Sequence, residues 1–103
     1  MIRVSVMYPR TEGAGFDLDY WLNKHIPMVA EKCGDALKGV TALAGLAGMQ
    51  PGEPAPYAYI VDLAFDSVEA FQEAFGPHAD DVSADMPNYT TIAPILQVSE
   101  IKL

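Results

Sequence analysis

Apolar residues recur from Phe16 to Cys33 with the spacing of one helical face. At about 100° per residue, positions three and four apart share that face. The arc holds Leu18, Trp21, Leu22, His25, Ile26, Val29 and Cys33. His25 therefore lies on the apolar side of the predicted helix.

The ends of this helix carry local signals. Asp17 is a suitable N-cap, because its carboxylate accepts hydrogen bonds from free amides of the first turn. Gly34 is a natural stop. Pro27 lies inside the helix, where it lacks an amide proton for the Asn23 carbonyl, so we predict a kink just after His25.

Period-2 alternation and β-branched residues predict four strands. These are Ile2 to Tyr8, Leu37 to Leu46, Tyr57 to Phe65, and Thr91 to Leu103 with an interruption at Pro94. The second segment has a helical alternative, which its glycines and its Val40-Thr41 pair disfavour. Its glycines predict a bend or a close backbone approach at Gly39 or Gly45.

A second helix follows the third strand. Asp66 and Glu69 have the spacing of a capping box, and Gly76-Pro77 ends the apolar stripe that follows. Pro77 can open a further short helix that ends before Pro87. The order strand, helix, strand, strand, helix, strand predicts an α+β, ferredoxin-like split βαβ sandwich with an antiparallel four-stranded sheet.

Helices on one face of such a sheet leave the other face uncovered. That face is predicted to be largely apolar, and large apolar patches are rarely left in water. A two-fold homodimer that packs sheet against sheet is the simplest way to cover it.

The composition narrows the classes of partner. The 103 residues suggest one domain, 1–103, and the net charge of −8 argues against nucleic acid and anionic membranes. Met1 opens directly into strand-like sequence and no long apolar run follows, so we expect a soluble cytoplasmic protein. The single cysteine, Cys33, excludes an intrachain disulfide and is expected to be a buried thiol.

Three segments resemble the EthD family, and together they cover nearly the whole chain. The first combines Tyr8-Pro9 with FDLDYWLNKHIPMV, from Phe16 to Val29. The others are FDSVEAFQEAF, from Phe65 to Phe75, and ADMPNYTTIAPILQVSE, from Ala84 to Glu100. The KHIP and DMPNYT motifs are fairly specific in combination.

The resemblance implies a dimeric α/β barrel of the ferredoxin-like class. The family takes its name from a gene cluster for ethyl tert-butyl ether degradation, in which its own role is obscure. Fungal relatives act as dehydratases or decarboxylases on polyketides. The wider superfamily holds cofactor-free monooxygenases, lactone isomerases and haem enzymes.

His25 is the leading candidate for catalysis, because histidine titrates near neutral pH and serves as a general acid or base. The alternative is a semi-buried histidine bonded to a backbone carbonyl near Pro27. Asp85, Asn88 and Tyr89 form a second group, in which Asp85 or Tyr89 either pairs with His25 or orients a substrate hydroxyl. Their alternative role is local, in closing a helix and a turn.

A ligand cavity between helix and sheet is predicted to be lined by Trp21, Met28, Tyr57, Tyr59 and Asp62. The aromatic residues can equally belong to the core or a dimer interface, and Asp62 can pair with Arg3. No cysteine or histidine spacing predicts a metal site, and no glycine-rich dinucleotide motif is present. No cofactor is expected, although a haem needs only one axial histidine.

The leading hypothesis is a small homodimeric, cofactor-independent enzyme that acts on a hydrophobic carbonyl or aromatic compound by proton transfer at His25. Dehydratase, isomerase and monooxygenase-like reactions all fit it. The alternative is a non-catalytic small-molecule-binding protein, accessory to an oxidase pathway, in which a backbone carbonyl holds His25.

Overall fold

A computed structural model describes all residues, 1–103. Its strands are β1 (Ile2–Pro9), β2 (Gly39–Ala44), β3 (Tyr57–Phe65) and β4 (Ile95–Glu100). They form one antiparallel sheet in the order β2-β3-β1-β4. Helices follow β1 and β3, so the α+β ferredoxin-like prediction is confirmed.

The first helical stretch consists of three consecutive segments. They are α1 (Leu18–Tyr20), a π-helical turn (Trp21–His25) and α2 (Ile26–Cys33). The Asp17 carboxylate accepts from the Tyr20 amide, as a cap should. Gly34 follows with φ +60°, a conformation that favours glycine.

Next to Pro27 the helix departs from regular α-helical geometry in this π-helical turn. The Ile26 amide bonds the carbonyl of Trp21, five residues back. Pro27 has no amide proton for the Asn23 carbonyl and would crowd that carbonyl in a regular helix, which is a physical reason for irregular geometry here. The turn also keeps His25 on the buried face with Trp21.

The second helical stretch comprises α3 (Val68–Phe75), a 3₁₀ turn (Gly76–His78), α4 (Ala79–Asp85) and a second 3₁₀ turn (Met86–Asn88). The prediction of Asp66 as its N-cap is wrong. The cap is Ser67, whose hydroxyl accepts from the Ala70 amide and whose backbone is extended. No helix is both long enough and apolar enough to span a bilayer.

Two strands are shorter than predicted. β2 ends at Ala44, just before Gly45, where an added Cβ would lie 2.2 Å from the Tyr57 carbonyl oxygen. Gly45 is therefore the predicted close approach of backbones. β4 begins only after Pro94, because proline cannot donate to the ladder.

The core lies between the sheet and the helices. Alternation along β3 buries Val61, Leu63 and Phe65. Trp21 and Cys33 contribute from the helical side, and both are almost fully buried. The opposite face of the sheet carries no helix.

Candidate functional site

A cavity of about 210 Å³ lies between the helices and the sheet. Its lining is mostly apolar and comes from β1, β3, β4 and the helical segments. Exposed Ser83 and half-exposed Leu96 border it, so the cavity reaches the surface between α4 and β4. The lining residues are Val6, Tyr8, His25, Ile26, Val29, Val61, Leu63, Phe75, Val82, Ser83, Met86, Tyr89, Pro94 and Leu96.

His25 is the principal polar group of the cavity wall and is only 5% exposed. Its Nδ1 lies 2.9 Å from Oδ2 of Asp85. An ionised carboxylate only accepts, so the bond assigns the proton to Nδ1 and leaves Nε2 of the neutral ring as a base. Nε2 has no hydrogen-bond partner in the protein, and it is not sealed off from solvent.

Asp85 is itself held in place by two further donors. The Tyr20 hydroxyl donates to Oδ1 at 2.6 Å, and the Asn88 amide donates to the same oxygen at 2.9 Å. Partial burial raises the pKa of Asp85, but the hydrogen bonds from Tyr20, His25 and Asn88 outweigh burial and lower it overall. The bond to Asp85 in turn raises the pKa of Tyr20. Asp85 is therefore an ionised, oriented partner for His25.

Tyr89 brings a second polar feature to the cavity. Its hydroxyl lies 2.6 Å from the Tyr8 hydroxyl in a buried pair, and its ring contacts His25 with centroids 4.5 Å apart. Burial, followed by the contact with Tyr8, raises the pKa of Tyr89 far above its usual range. Burial also raises the pKa of Tyr8, partly offset by Tyr89 and by the nearby Trp21 indole, which lies outside hydrogen-bond geometry.

Backbone contacts fix the segment that carries Tyr89. The Asp17 amide donates to the Tyr89 carbonyl at 2.8 Å, and Phe16 forms a β-bridge with Thr90. The Thr90 hydroxyl donates to the Gly15 carbonyl at 2.8 Å. The start of the first helix and the DMPNYT segment are thus locked together.

The structure brings together the three residues predicted to be catalytic, His25, Asp85 and Tyr89. The alternative, that a backbone carbonyl holds His25, is contradicted, because its partner is a carboxylate. The local alternative for Asp85 is true only in part. It ends α4 and also reaches across to the first helical stretch.

None of the residues predicted to bind the ligand lines this cavity. Trp21 is 1% exposed and belongs to the core, and Tyr59 stacks on Phe16 with centroids 4.2 Å apart. Met28 packs against the core from outside, and Tyr57 is half-buried at the start of β3.

Asp62 is also remote from the cavity. It points to the opposite face of the sheet, where it accepts from Ser5 at 2.5 Å rather than pairing with Arg3. Alternation along β3 places it on the face without helices, because Val61 and Leu63 occupy the other.

Two polar residues of the site were not predicted from the sequence. Tyr8 is the last of the alternate β1 residues whose side chains face the core. The period-2 alternation of this strand could therefore have indicated it. Tyr20 lay outside the apolar arc and had no distinguishing signal, since its partner Asp85 is 65 residues away.

Comparisons with known proteins point to the same family as the motifs do. The EthD domain model matches residues 16–92. An EthD-like protein from Ralstonia eutropha JMP134 is 42% identical, with a TM-score of 0.94 over 99% of this chain and 92% of that chain. No curated protein matches.

Two more distant structures share the fold. A dimeric protein of unknown function from Bacteroides fragilis has 11% identity and a TM-score of 0.57, over 97% of this chain and 95% of that one. SnoaB, a cofactor-independent oxygenase from Streptomyces nogalater, has 8% identity and a TM-score of 0.61, over 99% and 92%. The family match and the 42% identical structure together establish that this chain belongs to the EthD family.

Proposed function

We propose that this protein is an enzyme that moves a proton on a small hydrophobic carbonyl compound, with His25 as the base. The observation that carries the proposal is the geometry of His25 itself. Asp85 holds Nδ1 at 2.9 Å, while Nε2 has no protein partner in an apolar cavity. A base that is oriented on one side and free on the other is suited to general acid–base catalysis.

The proposed step is enolisation. Nε2 of His25 takes a proton from the carbon next to the carbonyl, the C–H electron pair forms a C=C bond, and the carbonyl π pair moves to oxygen. The enolate then regains a proton at carbon or loses a neighbouring group. The imidazolium formed on His25 faces the ionised Asp85, which stabilises it. Protein groups and solvent suffice for this step.

The size of the cavity guides the choice of substrate. Its volume of about 210 Å³ exceeds the roughly 150 Å³ of a cavity known to hold one benzene ring. A single substituted ring therefore fits this space, and a larger compound would have to extend through the opening between α4 and β4. The proposed substrate class is a monocyclic or short aliphatic carbonyl compound.

The known reactions of similar folds are consistent with such a step. Dehydration and isomerisation next to a carbonyl both begin with loss of a proton from carbon. SnoaB, which shares only the fold at 8% identity, is described as a cofactor-independent oxygenase. Proton abstraction is the step that these reaction classes have in common, and the residues around His25 are suited to it.

The experiment is hydrogen–deuterium exchange of bound ketones. Acetophenone and the more acidic phenylacetone are incubated with the protein in D₂O, and loss of the α-proton signals is followed by NMR. We expect exchange above the buffer rate and a loss of about 10²-fold or more in His25→Asn. Asparagine can still donate to Asp85, but it provides no base.

His78 provides a matched control. It is the chain's second histidine and does not line the cavity, so His78→Asn should exchange at the wild-type rate. Wild-type exchange no faster than in buffer, with either ketone bound, would support the non-catalytic binding alternative. Equal rates in wild type and His25→Asn would exclude His25 as the base.

We also propose that two copies pack sheet against sheet. Residues in cross-strand register share a side, so the helix-free face carries aligned rows. One row is apolar across all four strands: Leu43, Ile60, Met7 and Ile95. The next is polar: Thr41, Asp62, Ser5 and Gln97.

Burial and similarity support this interface. Leu43 and Ile95 are 44% and 48% exposed in the single chain, so the apolar row faces water unless it is covered. The Bacteroides fragilis protein of the same fold is described as dimeric. Asp62 and Ser5 already satisfy each other within one chain, so the polar row can be covered without leaving that carboxylate unpaired.

A further inference from the structure

We propose that the Tyr8–Tyr89 hydroxyl pair is the binding subsite for the carbonyl oxygen of the ligand. The inference rests on the proposed function, since it names the part of the site that holds the oxygen while His25 removes the proton. Both hydroxyls belong to residues that line the cavity, and the residues are only 2% and 3% exposed.

Proton counting shows that the pair has one donor to spare. Each neutral tyrosine carries one hydroxyl proton, and the 2.6 Å bond between the two oxygens uses one of them. Neither hydroxyl has another hydrogen-bond partner in the protein. One buried O–H is therefore left without an acceptor in the protein, whichever tyrosine donates to the other.

In an apolar cavity, this spare donor favours ligands that carry an acceptor oxygen. A buried polar group without a partner costs free energy, so a ligand that supplies an acceptor oxygen gains what an apolar ligand of the same shape does not. The rest of the cavity wall offers a carbonyl oxygen few other polar partners, because it is mostly aliphatic and aromatic.

The position beside His25 gives the subsite its chemical role. The centroids of the Tyr89 and His25 rings are 4.5 Å apart, so the tyrosine pair includes a direct neighbour of the base. A ketone whose oxygen lies on the tyrosine pair presents its α-carbon near the base. When that carbon loses its proton, the negative charge develops on the oxygen that the hydroxyl contacts.

The test uses two probes of the same shape. Acetophenone has a carbonyl oxygen where α-methylstyrene has a CH₂ group. The ratio of their dissociation constants therefore isolates the contribution of that oxygen to binding. The protein variant is the double substitution Tyr8→Phe with Tyr89→Phe. Removal of both partners leaves no unpaired hydroxyl and is nearly neutral for stability.

The ratio is compared between the wild type and the double variant, so the difference in hydration between the two probes cancels. We expect the preference for acetophenone over α-methylstyrene to fall by about fivefold in the double variant, the value of one net hydrogen bond. An equal ratio in both proteins would overturn the proposal. Failure of acetophenone to bind the wild type up to its solubility limit would also overturn it.

A second measurement needs no variant. The infrared C=O stretch of carbonyl-labelled acetophenone bound to the wild type should shift to lower frequency than in hexane, as in a hydrogen-bonding solvent. A hexane-like frequency would contradict the subsite even if the double variant failed to fold. His25→Asn separates the two proposals, because it should abolish exchange and retain the low-frequency carbonyl band.

Discussion

Asp85 and His25 are 60 residues apart in the chain, and their side chains meet at 2.9 Å. Each side reaches this contact for a local reason. The π-helical turn before Pro27 ends at His25, and α4 ends at Asp85. The contact therefore joins the ends of two irregular helical segments, where backbone geometry can be adapted to a site.

Loss of the Asp85 carboxylate should reduce catalysis without removing the base. Asp85→Asn can present an amide nitrogen to Nδ1, and this favours the tautomer with its proton on Nε2. We expect ketone exchange to fall at least tenfold, a substantial part of the roughly 10²–10⁴-fold that a general base contributes. The measurement is the same NMR exchange assay.

Asp81 is the matched control for this substitution. It lies on α4 four residues before Asp85 and is exposed, with only a 3.6 Å pairing to Lys32. Asp81→Asn should keep the wild-type exchange rate. A rate in Asp85→Asn equal to that of Asp81→Asn would show that the carboxylate does not orient the base.

Asp85 should also make a pH-dependent contribution to stability. Its pKa is lower in the folded protein, so the unfolded chain binds its proton more readily. The stabilisation is present above the unfolded pKa of about 4 and is lost as pH falls through the lowered folded value. We expect the wild type to be more stable than Asp85→Asn at pH 5, and this advantage to shrink as the pH falls below about 4.

Urea unfolding followed by circular dichroism at several pH values checks this expectation. The other carboxylates are shared by both proteins, so their titration cancels in the difference between the two free energies of unfolding. A difference that stays constant from about pH 5 to pH 2 would mean that the pKa of Asp85 is the same in both states.

The ferredoxin-like fold and the proposed catalytic trio were predicted from the sequence for different reasons. The fold followed from periodicity, since β3 alternates clearly and the arc around His25 has helical spacing. His25, Asp85 and Tyr89 were found through motifs on two segments. Periodicity alone gave no sign that Asp85 reaches His25.

The cavity lining was beyond the reach of local patterns. Trp21 and Tyr59 are aromatic and adjacent, but both pack against the Phe16 ring and neither lines the cavity beside His25. That cavity is lined instead by smaller side chains, such as Val6 on β1 and Val29 on α2. Such a gap depends on the distances between elements, which no single segment encodes.

Cys33 should be chemically inert in the folded protein. It is 6% exposed, and burial raises the pKa of its thiol, so little of the reactive thiolate forms. We expect its reaction with DTNB at pH 8 to be at least about a hundredfold slower in the native protein than in urea, limited by transient opening. Rapid labelling of the native protein would show that the end of α2 opens readily.

The sheet-to-sheet dimer makes a prediction about mass in solution. Light scattering should give twice the 11.1 kDa of one chain. Leu43→Asp and Ile95→Asp each place a charge in the apolar row, which is half-exposed in one chain and covered in the dimer. Burial of an unpaired carboxylate costs several kcal/mol, so we expect both variants to be folded monomers at micromolar concentration.

Leu46→Asp is the control for added negative charge alone. Leu46 lies between β2 and β3 and is 92% exposed, outside the apolar row, so its variant should remain dimeric. If Leu43→Asp and Ile95→Asp also stay dimeric, the helix-free face is not the interface. A monomeric wild type would remove the dimer altogether. The His25 site would be unaffected by that result, because every group in it belongs to one chain.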